Sequence, residues 1–405
     1  MSPISSTPTR AWFRGSRRTA TLAAAALVAG LALSGPTASA ITADVPVTAL
    51  PAASDAAATD TARMQQALDQ IVAAGVPGAL LYTYDNGVET ALQSGIADLA
   101  TATPMAPSTT YRIGSQTKTY VSTAVLQLVA RHRIRLDAPA SRYLPSLLAR
   151  APRVTVRQLL NHTSGIYEFN EDPRVLAPYF GGDLGHVWKP RELVRIALSN
   201  KPVAAPGAAY HYSNTNYVLL GLMIQSLTHR SLGDVLRGGV FTQAGLDSTT
   251  FTTSRTLPAP AAHGYYVAAG DKAGDFTDLT SLYPYPWASG AAVSTAPDVA
   301  RFYRHLLAGE MLPRHLMAAM KTTNDASAEE GPGTAYGLGI ESFRTRCGTA
   351  WGHGGNFPGY LTYVYSSADG GRQTVLMLNE DPMSLPKKEI GPIFMQLLDQ
   401  AYCGS

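Results

Sequence analysis

Apolar positions along this chain change period several times, and each change marks an element. Met64, Leu68, Ile71 and Val72 recur at helical spacing until Gly75 and Pro77, which predicts an amphipathic helix. The period then falls to two. Residues 78–84 and 88–95 read as strands flanking Asp85-Asn86-Gly87, where Asn-Gly supplies the positive φ angles of a tight hairpin. The pattern returns near the other end, at 360–365 and 373–378 around Ala368-Asp369-Gly370-Gly371, before a last amphipathic helix from about Lys387 to Tyr402. Strands at both ends with helical patterning between them predict an α/β (α+β) fold. Its antiparallel sheet is built from both chain ends with flanking helices, and a mainly helical subdomain, about 115–285, is inserted into it.

The amino-terminal residues change the picture of where the chain acts. Arg10, Arg14, Arg17 and Arg18 precede an apolar run from Thr19 to Leu33 and a small-residue site, Ala38-Ser39-Ala40. Residues 1–40 are therefore expected to be a signal peptide, with a secreted mature chain beginning near Ile41. The run is short of the roughly 20 apolar residues of a membrane anchor, the alternative; Arg17-Arg18 leaves the general and twin-arginine routes both open. Residues 41–58, mostly Ala, Pro, Thr and Val, read as a flexible leader, and 59–405 as one catalytic domain. Losing the four arginines takes the formal charge from +3 to −1, so neither nucleic acid nor a membrane is an expected partner after signal removal. Cys347 and Cys403 are expected to close one disulfide in an oxidising compartment, pinning the last helix to a neighbouring strand; two free thiols are the alternative. Scattered histidines without His-Glu-x-x-His or Cys-x-x-Cys suggest no metal site and no cofactor.

Three short segments carry candidate chemistry. Ser115-Gln116-Thr117-Lys118 opens a helix with Val121, Val125, Leu128 and Val129 at helical spacing, so Ser115 and Lys118 share a face. A serine there meets the helix N-terminus, and a neighbouring amine eases loss of its proton. A plain N-cap beside a solvated lysine is the alternative. Ser384-Leu385-Pro386-Lys387 repeats the pattern without an apolar helix starting at its serine. Tyr212-Ser213-Asn214 lies in a polar loop before an apolar helix: the tyrosine suits a base or proton shuttle if nearby cations lower its pKa, and the asparagine suits a substrate amide. It could equally be a capping loop, and Tyr84-Asp85-Asn86 matches it within the hairpin turn. Trp351-Gly352-His353-Gly354-Gly355-Asn356 leads to a strand, where glycines allow close approach to the backbone and the Asn356 N–H could join that of Ser115 as an oxyanion hole. A Gly-rich bulge with a structural histidine is the alternative.

In this order, on a helix start, a loop and a strand, the three resemble the Ser-x-x-Lys, Tyr-x-Asn and Lys/His-x-Gly set of the serine penicillin-recognising enzymes and class C β-lactamases. The chain is most similar to soluble secreted D-alanyl-D-alanine carboxypeptidases, through Tyr111-Arg112-Ile113-Gly114, the 159–165 run Leu-Leu-Asn-His-Thr-Ser-Gly, Tyr210 to Asn216, Tyr336-Gly337-Leu338-Gly339 and both cysteines. The resemblance implies a β-lactamase/DD-peptidase-like fold and an acyl-enzyme route. Ser115 attacks a carbonyl, Lys118 and Tyr212 handle its proton, His353 adds positive or hydrogen-bonding character, and Asn214, Gly355 and Asn356 bind substrate. It also puts Trp287 at an aromatic wall of the cleft.

Two departures divide the substrate readings. Gly354 stands where such carboxypeptidases have a hydroxyl residue that helps hold the substrate carboxylate, and Glu341 stands where they can have an arginine. The resemblance points to a D-alanyl-D-alanine carboxypeptidase acting on peptidoglycan-type D-peptides, with β-lactams as inhibitors. The departures point to a D-aminopeptidase, esterase or peptide-amide hydrolase, and less to a class C-type β-lactamase.

Overall fold

The structure is a computed structural model that describes residues 53–149, 151, 153–267, 274–380 and 390–404. The expected signal peptide and residues 41–52 of the expected leader lie outside the described residues. One unit ends at Thr61 and contributes the start of a helix; Ala62–Ser405 form the second and carry everything that follows.

Helix α1 (Ala53–Ala73) begins inside the stretch read as a leader, because the alanine-rich residues 53–58 favour helix and extending an existing helix costs less than starting one. Nine strands form one sheet: β1 (Gly78–Asp85), β2 (Val88–Asp98), β3 (Thr103–Pro104), β4 (Asn324–Asp325), β5 (Thr334–Tyr336), β6 (Glu341–Thr345), β7 (Gly348–Phe357), β8 (Tyr360–Ser366) and β9 (Arg372–Leu378). Their spatial order is β3-β2-β1-β9-β8-β7-β6-β5-β4, all antiparallel, so the first hairpin joins the last strands through β1 and β9. The sheet is built from both chain ends, as the alternation predicts.

Strand alternation divides the core in two. Ala79, Leu81, Leu376 and Leu378 face one side, where they pack with Leu68 and Ile71 of α1 and with Phe394, Leu397 and Leu398 of the last helix, Ile390–Cys403. Leu80, Tyr82, Val375 and Met377 face the other, in one apolar cluster with Phe302, Tyr303 and Leu306 of helix Ala296–Leu307. Each fully buried side chain of this size contributes about 1.5–3 kcal/mol. The last helix ends at Cys403, which is bonded to Cys347, in the turn between β6 and β7. The disulfide thus forms as expected, with a turn rather than a strand as its second anchor.

A small sheet positions the first motif. Tyr111–Arg112 pairs with Ala292–Ser294, which also pairs with Thr250–Phe251. The chain leaves Arg112 into a single tight turn, Gly114–Gln116, and continues as helix α2 (Thr117–Ala130). Helix α3 (Asn214–Thr228) is buried on every face from Asn214 to Ile224 and packs against α2.

Candidate active site

Ser115 lies in the tight turn just ahead of α2, half-buried, whereas Lys118 is fully buried on the first turn of the helix itself. The helix thus starts two residues later than its pattern suggests, because Gly114 takes a positive φ of 51° to bring the turn against β7. A side chain at Gly114 would collide with the backbone of Asn356, and one at Gly355 with the carbonyl of Ile113. Two glycines therefore let the first and third motifs touch. Gly355 serves this close approach, and Asn356 stays exposed beside the Ser115 turn.

Lys118 Nζ donates to Ser115 Oγ at 2.8 Å, to Asn214 Oδ1 at 2.7 Å and to the Ser289 carbonyl at 2.8 Å. It also sits 4.8 Å from the centre of the Tyr212 ring, and the nearby Ser115 side chain acts to lower the pKa of the Tyr212 hydroxyl. Burial lowers the Lys118 ammonium to about 7, against the opposing pull of Glu168, Glu330 and Glu341. Burial, then Glu330, pushes the Tyr212 hydroxyl well above its ordinary value. Burial thus works against the lowered tyrosine pKa considered from sequence, whereas it brings the Lys118 ammonium toward neutrality.

The Tyr-Ser-Asn loop is held by carboxylates. Glu168 accepts the backbone N–H of Asn214, its side-chain amide at 2.9 Å and the N–H of Asn170 at 3.1 Å. This turns the Asn214 carbonyl oxygen toward Lys118. Glu329 accepts the Tyr212 N–H at 2.9 Å and faces His211 at 3.2 Å, while Glu330 accepts the Tyr210 hydroxyl at 3.1 Å. Burial raises Glu330 to about 7. Ser213 occupies the N-cap position of α3.

His353 is fully buried on β7. Its Nδ1 faces the Gly354 carbonyl and, at 3.5 Å, Glu341; its Nε2 lies 2.9 Å from the Tyr336 hydroxyl. Burial and the Lys118 charge lower it to about 3, so of the two characters implied by the resemblance only the hydrogen-bonding one is available near neutrality. Glu341 accepts the N–H of Gly354 at 2.9 Å. Strand β6 pairs with β7 no further than Gly352, so beyond it this edge of β7 has no strand partner, and alternation aims the N–H groups of Gly354 and Asn356 from the same edge. A side chain at Gly354 would point at the Tyr363 ring.

Trp287, expected at a cleft wall, is mostly buried. Its ring is 8% exposed, packed where Gly221 of α3 leaves room and edge-on to Phe251 at 6.3 Å. A positive φ of 47° at Trp287 instead opens the turn that presents the Ser289 carbonyl to Lys118. Glu168, Glu330 and Ser289 were not picked out as site residues from sequence. Ser289 acts through its backbone, and no periodicity marks the two glutamates. Tyr84-Asp85-Asn86 stays at the β1 hairpin, and the second Ser-x-x-Lys, 384–387, lies outside the described residues.

The arrangement sets the Lys118 amine beside Ser115 Oγ, where it can take the serine proton. A family model described as Beta-lactamase matches residues 64–390. The fold is similar to a D-stereospecific amidohydrolase from Streptomyces sp., with a TM-score of 0.75 and 34% identity over 85% of this chain and 99% of that one. It is also similar to a D-amino acid amidase from Ochrobactrum anthropi SV3 solved with L-phenylalanine amide, with a TM-score of 0.74 and 29% identity over 85% and 98% of the two chains. In sequence it is 28% identical to penicillin-binding protein 4 of Amycolatopsis lactamdurans, over 74% of this chain and 77% of that protein.

Proposed function

The chain belongs to the beta-lactamase family as a serine hydrolase, and from that premise we propose that it cleaves amides of D-amino acids or short D-peptides through an acyl-enzyme on Ser115. Ser115 Oγ attacks the substrate carbonyl as its proton passes to Lys118, directly or through the Tyr212 hydroxyl. The N–H groups of Ser115 and Asn356 hold the oxyanion, and Asn214 orients the substrate amide. The amine or ammonia leaves with that proton, and water then hydrolyses the ester.

The bond from Gly354 N–H to Glu341 is the observation that carries the substrate side of this reading. An N–H on the open edge of β7, where an incoming carboxylate could bind, already serves a carboxylate of the protein. Glu168, Glu330 and Glu341 lie around Lys118 and hold its pKa up, while burial raises the pKa of each of them. The amidohydrolase and amidase neighbours support the same direction. The similarity to penicillin-binding proteins supports the carboxypeptidase reading. Export of the chain, read from residues 1–40, belongs to the same proposal.

The test compares D-phenylalanine amide, its N-acetyl derivative and an N-acylated D-Ala-D-Ala peptide with a free carboxylate. The proposal expects turnover of the first and a kcat/KM lower by at least about tenfold for the other two. Preferential turnover of the carboxylate peptide, with a long-lived benzylpenicillin adduct in the intact mass, would return the chain to the carboxypeptidase reading.

A further inference from the structure

We propose that His162 is the positioning residue for Tyr212: a neutral imidazole, fixed by the loop before α3, on which the phenol ring stacks so that its hydroxyl stays aimed at Ser115. This rests on the reading above in taking Ser115 as nucleophile and Tyr212 as proton carrier.

The geometry fixes the imidazole from three directions. Its backbone is left-handed, with φ 59°, and its carbonyl accepts the His211 N–H at 2.8 Å. Its Nδ1 accepts the Ser213 N–H at 3.0 Å and lies 3.2 Å from the Asn216 side-chain nitrogen. An Nδ1 that accepts these donors leaves the proton on Nε2. That nitrogen is buried and has no hydrogen-bond partner among the described residues, and the imidazole lies among the rings of Tyr336, Tyr217 and Tyr210, at 4.7, 5.3 and 5.9 Å between ring centres. The ring is fully buried, and burial, then the Lys118 charge, drives its pKa well down.

An acceptor for the Ser213 N–H could come from an asparagine, which also tolerates a left-handed backbone. What the imidazole adds is a flat face: its centre lies 4.3 Å from that of Tyr212, with the planes 28° apart. Lys118 Nζ lies 4.8 Å from the centre of that phenol ring, and Tyr336 stands edge-on to it at 6.2 Å. A neutral stacking partner orients the ring without bringing a second cation against Lys118. Neighbouring bonds within 162–216 thus connect the Leu-Leu-Asn-His-Thr-Ser-Gly run to the proton path.

The experiment uses the full chain and an amide substrate. His162→Asn keeps the acceptor and removes the flat face; His162→Phe keeps a ring and removes the acceptor. His162→Asn is expected to lower kcat at least about tenfold with KM within about threefold, His162→Phe to recover part of that loss, and His162→Asn to add less than about twofold in a Tyr212→Phe background. A kcat for His162→Asn within about twofold of wild type, or a full multiplicative loss on top of Tyr212→Phe, overturns the proposal. Should the variants fail to fold, imidazole nitrogen NMR of the wild-type protein decides: a neutral Nε2–H ring at about pH 6 is expected, and an imidazolium or an Nδ1–H tautomer overturns it. Retention of turnover by Ser115→Ala would instead remove the acyl-enzyme reading itself. If Ser115→Ala is inactive and His162→Asn is fast, only this inference falls.

Discussion

Lys118 Nζ stands 2.8 Å from Ser115 Oγ, with Lys118 fully buried and Ser115 half-exposed. The amine is thus shielded while the hydroxyl can meet substrate. Ser115→Ala and Lys118→Ala are each expected to lower kcat by at least about a thousandfold, and the double variant to fall little below either one, because the two act as a unit. Steady-state kinetics with an amide substrate checks this; additive losses would mean the pair does not work together.

Lys118 must lose its proton to act as base, and burial has brought that loss down to about 7. The base form therefore grows as pH rises through about 7 and disappears below it, so log kcat/KM should climb with unit slope and level off above neutrality. Glu330 holds the Lys118 pKa up by attraction, so Glu330→Gln should move the midpoint to lower pH. A pH–rate profile of both proteins reads the direction. A shift upward would sink the assignment of that limb to Lys118.

Glu341 is tied to the Gly354 N–H, and its carboxylate faces His353 on the neighbouring strand. Glu341→Gln keeps an acceptor for that N–H and should stay within about threefold of wild type in kcat/KM. Glu341→Ala leaves the N–H unpaired, at a cost of about 1–3 kcal/mol, and should lower kcat/KM about tenfold with a lower melting temperature. Equal behaviour of the two variants would show that the hydrogen bond is unimportant.

The Cys347–Cys403 bond closes a separation of 56 residues between the β6–β7 turn and the end of the last helix. Loop-closure entropy for that separation corresponds to about 4 kcal/mol, an upper figure that native strain or residual structure reduces. Cys347→Ser is expected to melt lower than wild type by several degrees in non-reducing buffer and to respond no further to reductant. A thermal melt with and without dithiothreitol checks both, and an unchanged melting temperature would show that the helix is held by its apolar face alone.

Periodicity and turn residues located the hairpins at both ends, the first and last helices and hence the sheet that joins the two ends of the chain. The reason is physical: alternation puts one side chain in two on each face, and both faces of β1 and β9 are covered. The Ser-x-x-Lys spacing likewise determined that Ser115 and Lys118 would meet, since one helical turn brings such residues together. What no local pattern could carry was the contact between segments far apart in sequence. That Glu168 turns Asn214 toward Lys118, that Glu341 occupies the Gly354 N–H, and that Trp287 buries its ring and offers the next turn's carbonyl depend on folded neighbours. The same holds for charge state. Lysine, tyrosine and histidine are ordinary letters in the sequence, and only enclosure by the tertiary structure moves Lys118 to about 7 and His353 to about 3, because desolvation acts on a place in space and not on a position in the chain.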